Sequence, residues 1–149
     1  MTKGKSPTAR QRLGAGAEEA ARNYLIKRGY VILAANWRCR WGELDIVCRE
    51  GNCLVFVEVK STGIKIPRGA GFWVTEERIN RRKQRKMELA ALDFLSQNQG
   101  SWEEMRFDAV IAATNSKRIP PDAREAEWEI NHIKDAFRIQ PESYDETQD

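Results

Sequence analysis

The spacing of hydrophobic positions alternates between helical and strand-like along the chain, and each switch marks an element. Ala17, Ala20, Ala21, Tyr24 and Leu25 recur at helical spacing, predicting a first helix from Ala17 to Arg28 that Gly29 ends. Residues 1 to about 12 precede it as a flexible basic arm. Tyr30 to Ala34 reads as a strand, and Asn36 to Trp41 as a connection or an extension of it. Residues 43–49 and 53–60 read as a hairpin turned at Glu50-Gly51, where glycine supplies a positive φ. A second helix is expected from about Glu76 to Gln97, with Ile79, Met87, Ala90, Ala91, Phe94 and Leu95 inward. Strands follow at Arg106 to Ala113 and Glu127 to Ile133, the latter ending in a short turn near Asp135 to Phe137. Gly63, Pro67, Gly69 and Gly71 make residues 61–75 a long loop, on which Phe72 and Trp73 either stack on bases or pack on the domain.

The hairpin carries charge where a core strand should not. Gly42-Glu43-Leu44-Asp45-Ile46-Val47 and Val55-Phe56-Val57-Glu58-Val59-Lys60 set acids and a lysine among apolar residues. Burying an unpaired carboxylate costs several kcal/mol, so a cation or a chemical task is expected to hold it there. If Arg49 pairs with Asn52, Asp45 faces Phe56, Glu43 faces Glu58, and Glu58 is the diagonal neighbour of Asp45 at roughly 7 Å. Lys60 then shares the face of Glu58, while Leu44, Ile46 and Cys48 meet Val55, Val57 and Val59 as core. Two hard oxygen donors suit Mg²⁺ or Mn²⁺ with places left for a phosphate oxygen and a water. Lys60 would orient that water and stabilise the pentavalent phosphorus. The alternative is a pair of surface ion pairs on a half-exposed hairpin. Glu18, three and seven residues before Ala21 and Leu25, borders the inward face of the first helix and offers a third carboxylate; Glu19 turns outward.

Composition narrows the chemistry. A chain of 149 residues, 41% apolar and 32% charged, suits one globular domain, residues 13–139. No apolar run approaches a membrane span, and Met1-Thr2-Lys3-Gly4-Lys5 lacks a signal-peptide core, so the expectation is a cytoplasmic protein. Cys39, Cys48 and Cys53 read as reduced thiols in or near the core, since the further ligands of a zinc site are not evident. A single histidine, His132 between apolar neighbours, leaves no multi-histidine zinc hydrolase to build and reads as structural. Residues 140–149 carry four acids and no base, a disordered acidic tail whose removal takes the formal charge from +3 to +7. Arg78, Arg81, Arg82, Lys83, Arg85 and Lys86 cluster along the second helix, and Lys3, Lys5, Arg10 and Arg12 at the start. Such clusters fit a polyanion partner, or else form a solvated helix face.

Taken together, Glu18-x-x-Ala21-x-x-Tyr24-Leu25, Gly29-Tyr30-x-Ile32-Leu33, Asn36-Trp37-Arg38-Cys39-Arg40, Gly42-Glu43-Leu44-Asp45, Val55-Phe56-Val57-Glu58-Val59-Lys60, Arg82-Lys83-Gln84-Arg85, Arg106-Phe107-Asp108 and His132-Ile133-x-Asp135-Ala136-Phe137 resemble the bacterial YraN family from Leu13 to Phe137. That family resembles Holliday-junction resolvases and restriction enzymes of the PD-(D/E)XK superfamily. The resemblance implies an α/β fold, a restriction-endonuclease-like mixed β-sheet flanked by α-helices. It implies metal-dependent cleavage of DNA, branched or structured DNA included, with Asp45, Glu58 and Glu18 as metal acids and Lys60 as the catalytic lysine. A homodimer is implied by analogy with resolvases. Ala17 and Ser61-Thr62-Gly63 depart from the family's usual glycine and basic residues at those places. Glu43 receives no role beyond an auxiliary ligand or a partner for Arg38 or Arg40. A non-catalytic nucleic-acid-binding protein that keeps the nuclease fold, or a protein–protein adaptor using Trp37, Trp41 and Phe72, would share most of this pattern.

Overall fold

A computed structural model describes residues 4–62, 79–114 and 128–138. The expected loop at 61–75 with Phe72 and Trp73, Arg78, and the acidic tail lie wholly or mainly outside these residues. Seven elements are described: α1 (Ala9–Lys27), β1 (Val31–Cys39), β2 (Gly42–Glu50), β3 (Cys53–Thr62), α2 (Arg81–Gln97), β4 (Glu104–Thr114) and β5 (Trp128–Phe137).

α1 begins eight residues before the expected start at Ala17. Thr8 accepts the Gln11 N–H while the Gln11 side chain returns to the Thr8 N–H, a reciprocal cap that nucleates a turn among residues with no apolar stripe to reveal it. Gly29, at φ 86°, ends the helix. The Gly29 and Tyr30 amides donate back to Ile26 and Leu25, and the chain leaves directly into β1. α2 starts at Arg81 rather than near Glu76, because the Asn80 side chain caps it by accepting the Lys83 N–H at 3.0 Å.

The five strands form one mixed sheet in sequence order, antiparallel except for the parallel pair β3 and β4. The crossover between those two carries α2. The two faces differ in side-chain size. Phe56, Phe94, Phe107 and Phe137 fill the α2 side with Leu44, Val47 and Leu54, and Phe56 and Phe107 stack at 5.4 Å. On the other face Ala21 and Leu25 of α1 meet Ile46, Cys48, Val55, Val57 and Val110, while Ala17 and Ala20 meet Ala112 and Trp128. Alanines let α1 lie close against the sheet. Gly16 tightens this further, since a Cβ there would stand 2.9 Å from the Trp128 ring.

The hairpin register differs from expectation by two residues. Gly51 and Asn52 form the turn, with Gly51 at φ 57°, so Cys48 faces Val55 and Ile46 faces Val57. A glycine that takes the first turn position moves the whole ladder by one pair.

Candidate functional site

The ladder between β2 and β3 runs from Glu50 and Cys53 to Ile46 and Val57. Beyond that point β2 still pairs with β1 as far as Gly42, and β3 with β4 as far as Thr62. The sheet therefore forks at Asp45 and Glu58. Asp45 Oδ2 accepts the Val59 N–H at 2.9 Å, supplying a side-chain acceptor where no β2 carbonyl arrives.

A second irregularity aims the acids. Leu44 and Val47 are three residues apart yet belong to one core, as do Ala34 and Trp37 across from them. Strict alternation would put three-apart residues on opposite faces. It is interrupted at Asp45 and at Asn36, which takes φ 51°. Leu44 thus leaves the face expected for it and joins the α2-side core. One oxygen each from Glu18, Glu43 and Asp45 consequently lies within 4.8 Å of the other two. With its amide nitrogen turned to the acids, Asn36 donates to Glu43 Oε1 at 2.9 Å and to Glu18 Oε2 at 3.0 Å. Arg38 lies 3.5 Å from Glu43 on the exposed side.

Glu58 is buried, at 4% exposure, on the central strand. Its Oε1 meets Lys60 Nζ at 3.2 Å and also contacts Lys83 Nζ from α2. Burial pushes the Asp45 carboxyl up to about 8, helped by the charge of Glu58 and a hydrogen bond with it. Glu18 is raised by burial and by Glu43 and Glu58, against the Asn36 hydrogen bond. Lys60 is lowered by burial and by the neighbouring Lys83 ammonium. Burial alone would lower Lys83, but Glu58 outweighs it and holds the ammonium on.

A pocket of about 640 Å³ opens on this fork, lined by Gly42, Glu43, Asp45 and Glu58 on one side and Asn80, Arg82, Lys83, Lys86 and Met87 on the other. One wall is acidic and the other basic. Of the basic run expected to meet a polyanion, Arg82, Lys83 and Lys86 face the pocket; Arg81 and Arg85 are exposed elsewhere on α2. Asp45, Glu58, Lys60 and Glu18 are thus gathered at one place. Asn36, Glu43 and Lys83 join them. Of the three, only Glu43 sits in a spacing that could suggest it; Asn36 and Lys83 arrive through a kink and a helix packing.

A second polar group is centred on the middle of β4, where Asp108 pairs with Val57 of β3. Asp108, fully buried, accepts from Arg106 Nε at 2.7 Å, Arg106 Nη2 at 3.0 Å and the Asp135 N–H at 2.9 Å, and sits 2.8 Å from His132 Nε2. Arg106 also reaches Glu50 at 3.2 Å and the Tyr30 hydroxyl at 3.1 Å. The His132 side chain is buried within this network. Asp135 takes φ 55° to aim its amide, which is why β5 continues to Phe137 through an irregularity instead of ending at Ile133. Cys39, Cys48 and Cys53 are free thiols, and burial pushes Cys48 up to about 12.

These features define an α/β protein of restriction-endonuclease-like architecture, with acids and lysines at a fork in its mixed sheet. The chain belongs to the uncharacterised protein family UPF0102, the YraN family, whose model matches residues 17–112. It is 37% identical to a UPF0102 protein of Rhodococcus opacus over 84% of this chain and 95% of that one. It is 42% identical to one of Methylobacillus flagellatus, over 85% and 97% of the two chains. It is 41% identical to one of Geobacter sulfurreducens, over 85% and 89%. No described helix is long and apolar enough to cross a membrane.

Proposed function

We propose that this protein is a metal-dependent endonuclease that hydrolyses phosphodiester bonds in DNA, with branched or structured DNA as the substrate class. The reading is carried by one observation: Asp45, Glu18 and Glu43 converge at a fork whose lysines both contact Glu58, and burial with the charge of Glu58 raises the Asp45 carboxyl to about 8. A group so placed is under-compensated, and a hard divalent cation is the partner its oxygens fit. Asp45, Glu18, Glu43 and Glu58 would hold Mg²⁺ or Mn²⁺. When bound, the ion would neutralise charge on the phosphate and acidify a water.

The remaining work falls to the chain. Lys60, on the strand position two beyond Glu58, would hold the attacking water, and its lowered pKa makes the neutral amine easier to reach. Arg82 and Lys86 on the facing wall would seat flanking phosphates, giving salt-sensitive affinity. A homodimer would present two such pockets to the equivalent strands of a junction.

The test incubates the full chain with labelled duplex, single-stranded, flapped and four-way DNA, in Mn²⁺ or chelator, beside Asp45→Ala and Lys60→Ala. Mn²⁺-dependent cleavage lost in both variants is expected. Binding without cleavage in any metal would instead make the protein a non-catalytic nucleic-acid binder that keeps the fold.

A further inference from the structure

Lys83 has nothing in the sequence to set it apart from the basic residues around it. Its position in the fold does. The Asn80 cap accepts the Lys83 N–H at 3.0 Å and fixes the residue in the first turn of α2, over the mouth of the fork. From there its ammonium contacts Glu58 Oε1, the same oxygen that Lys60 approaches at 3.2 Å. Two ammoniums on one carboxylate oxygen exceed what that charge needs. Asp45 beside it takes a backbone N–H, and Glu18 takes the Asn36 amide. The surplus positive charge is therefore concentrated on Glu58.

We propose that Lys83 is a positioning residue for cation loading: it is the built-in counter-ion of Glu58 and must yield that carboxylate when a divalent cation enters. The inference rests on the reading of the fork as a divalent-cation site. An ammonium and a metal ion compete for one oxygen, and the ammonium also repels the incoming ion at short range. Once displaced, the side chain remains on the pocket wall with Arg82 and Lys86, facing the place where a phosphate would sit. Removing Lys83 should thus have opposite effects on two bound species. A merely structural residue would weaken both.

The full chain and its Lys83→Gln and Lys83→Arg variants are titrated with Mn²⁺ without DNA, reading free ion by electron paramagnetic resonance. Lys83→Gln is expected to bind Mn²⁺ about fivefold tighter, and Lys83→Arg about as wild type. In a Glu58→Gln background, Lys83→Gln should change Mn²⁺ affinity no further. Affinity of Lys83→Gln for a labelled DNA duplex should fall about threefold. Wild type that binds Mn²⁺ with Lys83→Gln equal or weaker overturns the role of Lys83 and leaves the cation site standing. A fivefold gain that persists without Glu58 overturns the proposed route through that carboxylate. No Mn²⁺ uptake by any of these chains overturns the cation site and the role of Lys83 with it. Circular-dichroism melting of each variant confirms that folded protein was compared.

Discussion

Asp108 on β4 and Asp45 on β2 are carboxylates carried by the same sheet, two strands apart and nearly level along it. Asp108 is met by a guanidinium in two places, an imidazole and a backbone N–H, and these hold its carboxyl below the usual range although burial alone would raise it. Asp45 has a backbone N–H and a second acid beside it, and its carboxyl rises to about 8. The first acid has all its partners within the chain. Among the described residues the second has no lysine or arginine bonded to it, which under the proposed function separates a structural acid from one that would take a cation.

The contrast breaks most visibly at Asp108. Asp108→Ala leaves Arg106 without its principal partner, and should cost about 3 kcal/mol or more of stability by urea unfolding. A loss below 1 kcal/mol would show that the network contributes little to holding the sheet.

Added Mn²⁺ probes Asp45. At a hundredfold its dissociation constant, a native-state ligand stabilises by about 2.7 kcal/mol, and this gain should vanish in Asp45→Ala. Thermal unfolding with and without chelator measures it; equal gains in both proteins would place the ion elsewhere.

The pH dependence should separate the two acids by sign. Asp45 has a folded pKa above its unfolded one, so its stabilising contribution is full below about pH 4 and is lost as pH rises toward 8. In metal-free protein, Asp45→Asn should flatten that decline by an amount on the order of 1 kcal/mol. Asp108 has a depressed pKa, so its contribution is present above about pH 4 and is lost on acidification below it. Urea midpoints across pH 3 to 8 report both, and an unchanged slope in Asp45→Asn would remove the basis for calling that acid under-compensated.

The smallest effect belongs to the rim. Arg38 is well exposed beside Glu43, so Arg38→Ala should move stability by no more than about 0.5 kcal/mol, within reach of the same urea melts. A larger loss would mean that the Glu43 arm is part of the fold's support rather than of the proposed cation site.

Much of the candidate site's membership was legible along the chain because charge on an apolar strand stands out. Asp45, Glu58 and Lys60 could be picked by alternation, and Glu18 by its offset from the helix stripe. The register was less legible, since Glu50-Gly51 and Gly51-Asn52 are both good turns and differ by one residue of placement. Asn36 and Asp45 break the alternation that any period-two reading assumes, so the convergence of Glu43 with Glu18 had no linear signature. Arg106 and Asp108 could be read as a strand with two charges, but not as the hub that reaches Tyr30, Glu50 and His132.

Local order in the chain was enough to indicate where most strands and helices lie and which residue types could bind a hard cation, because each depends on neighbours a few positions away. Which oxygen each lysine meets, where β2 parts from β3, and which acid is left short of positive charge depend on groups brought together from α1, β1, β2, β3 and α2. Those are sums over distance and burial, and distance and burial exist only once the chain has closed on itself.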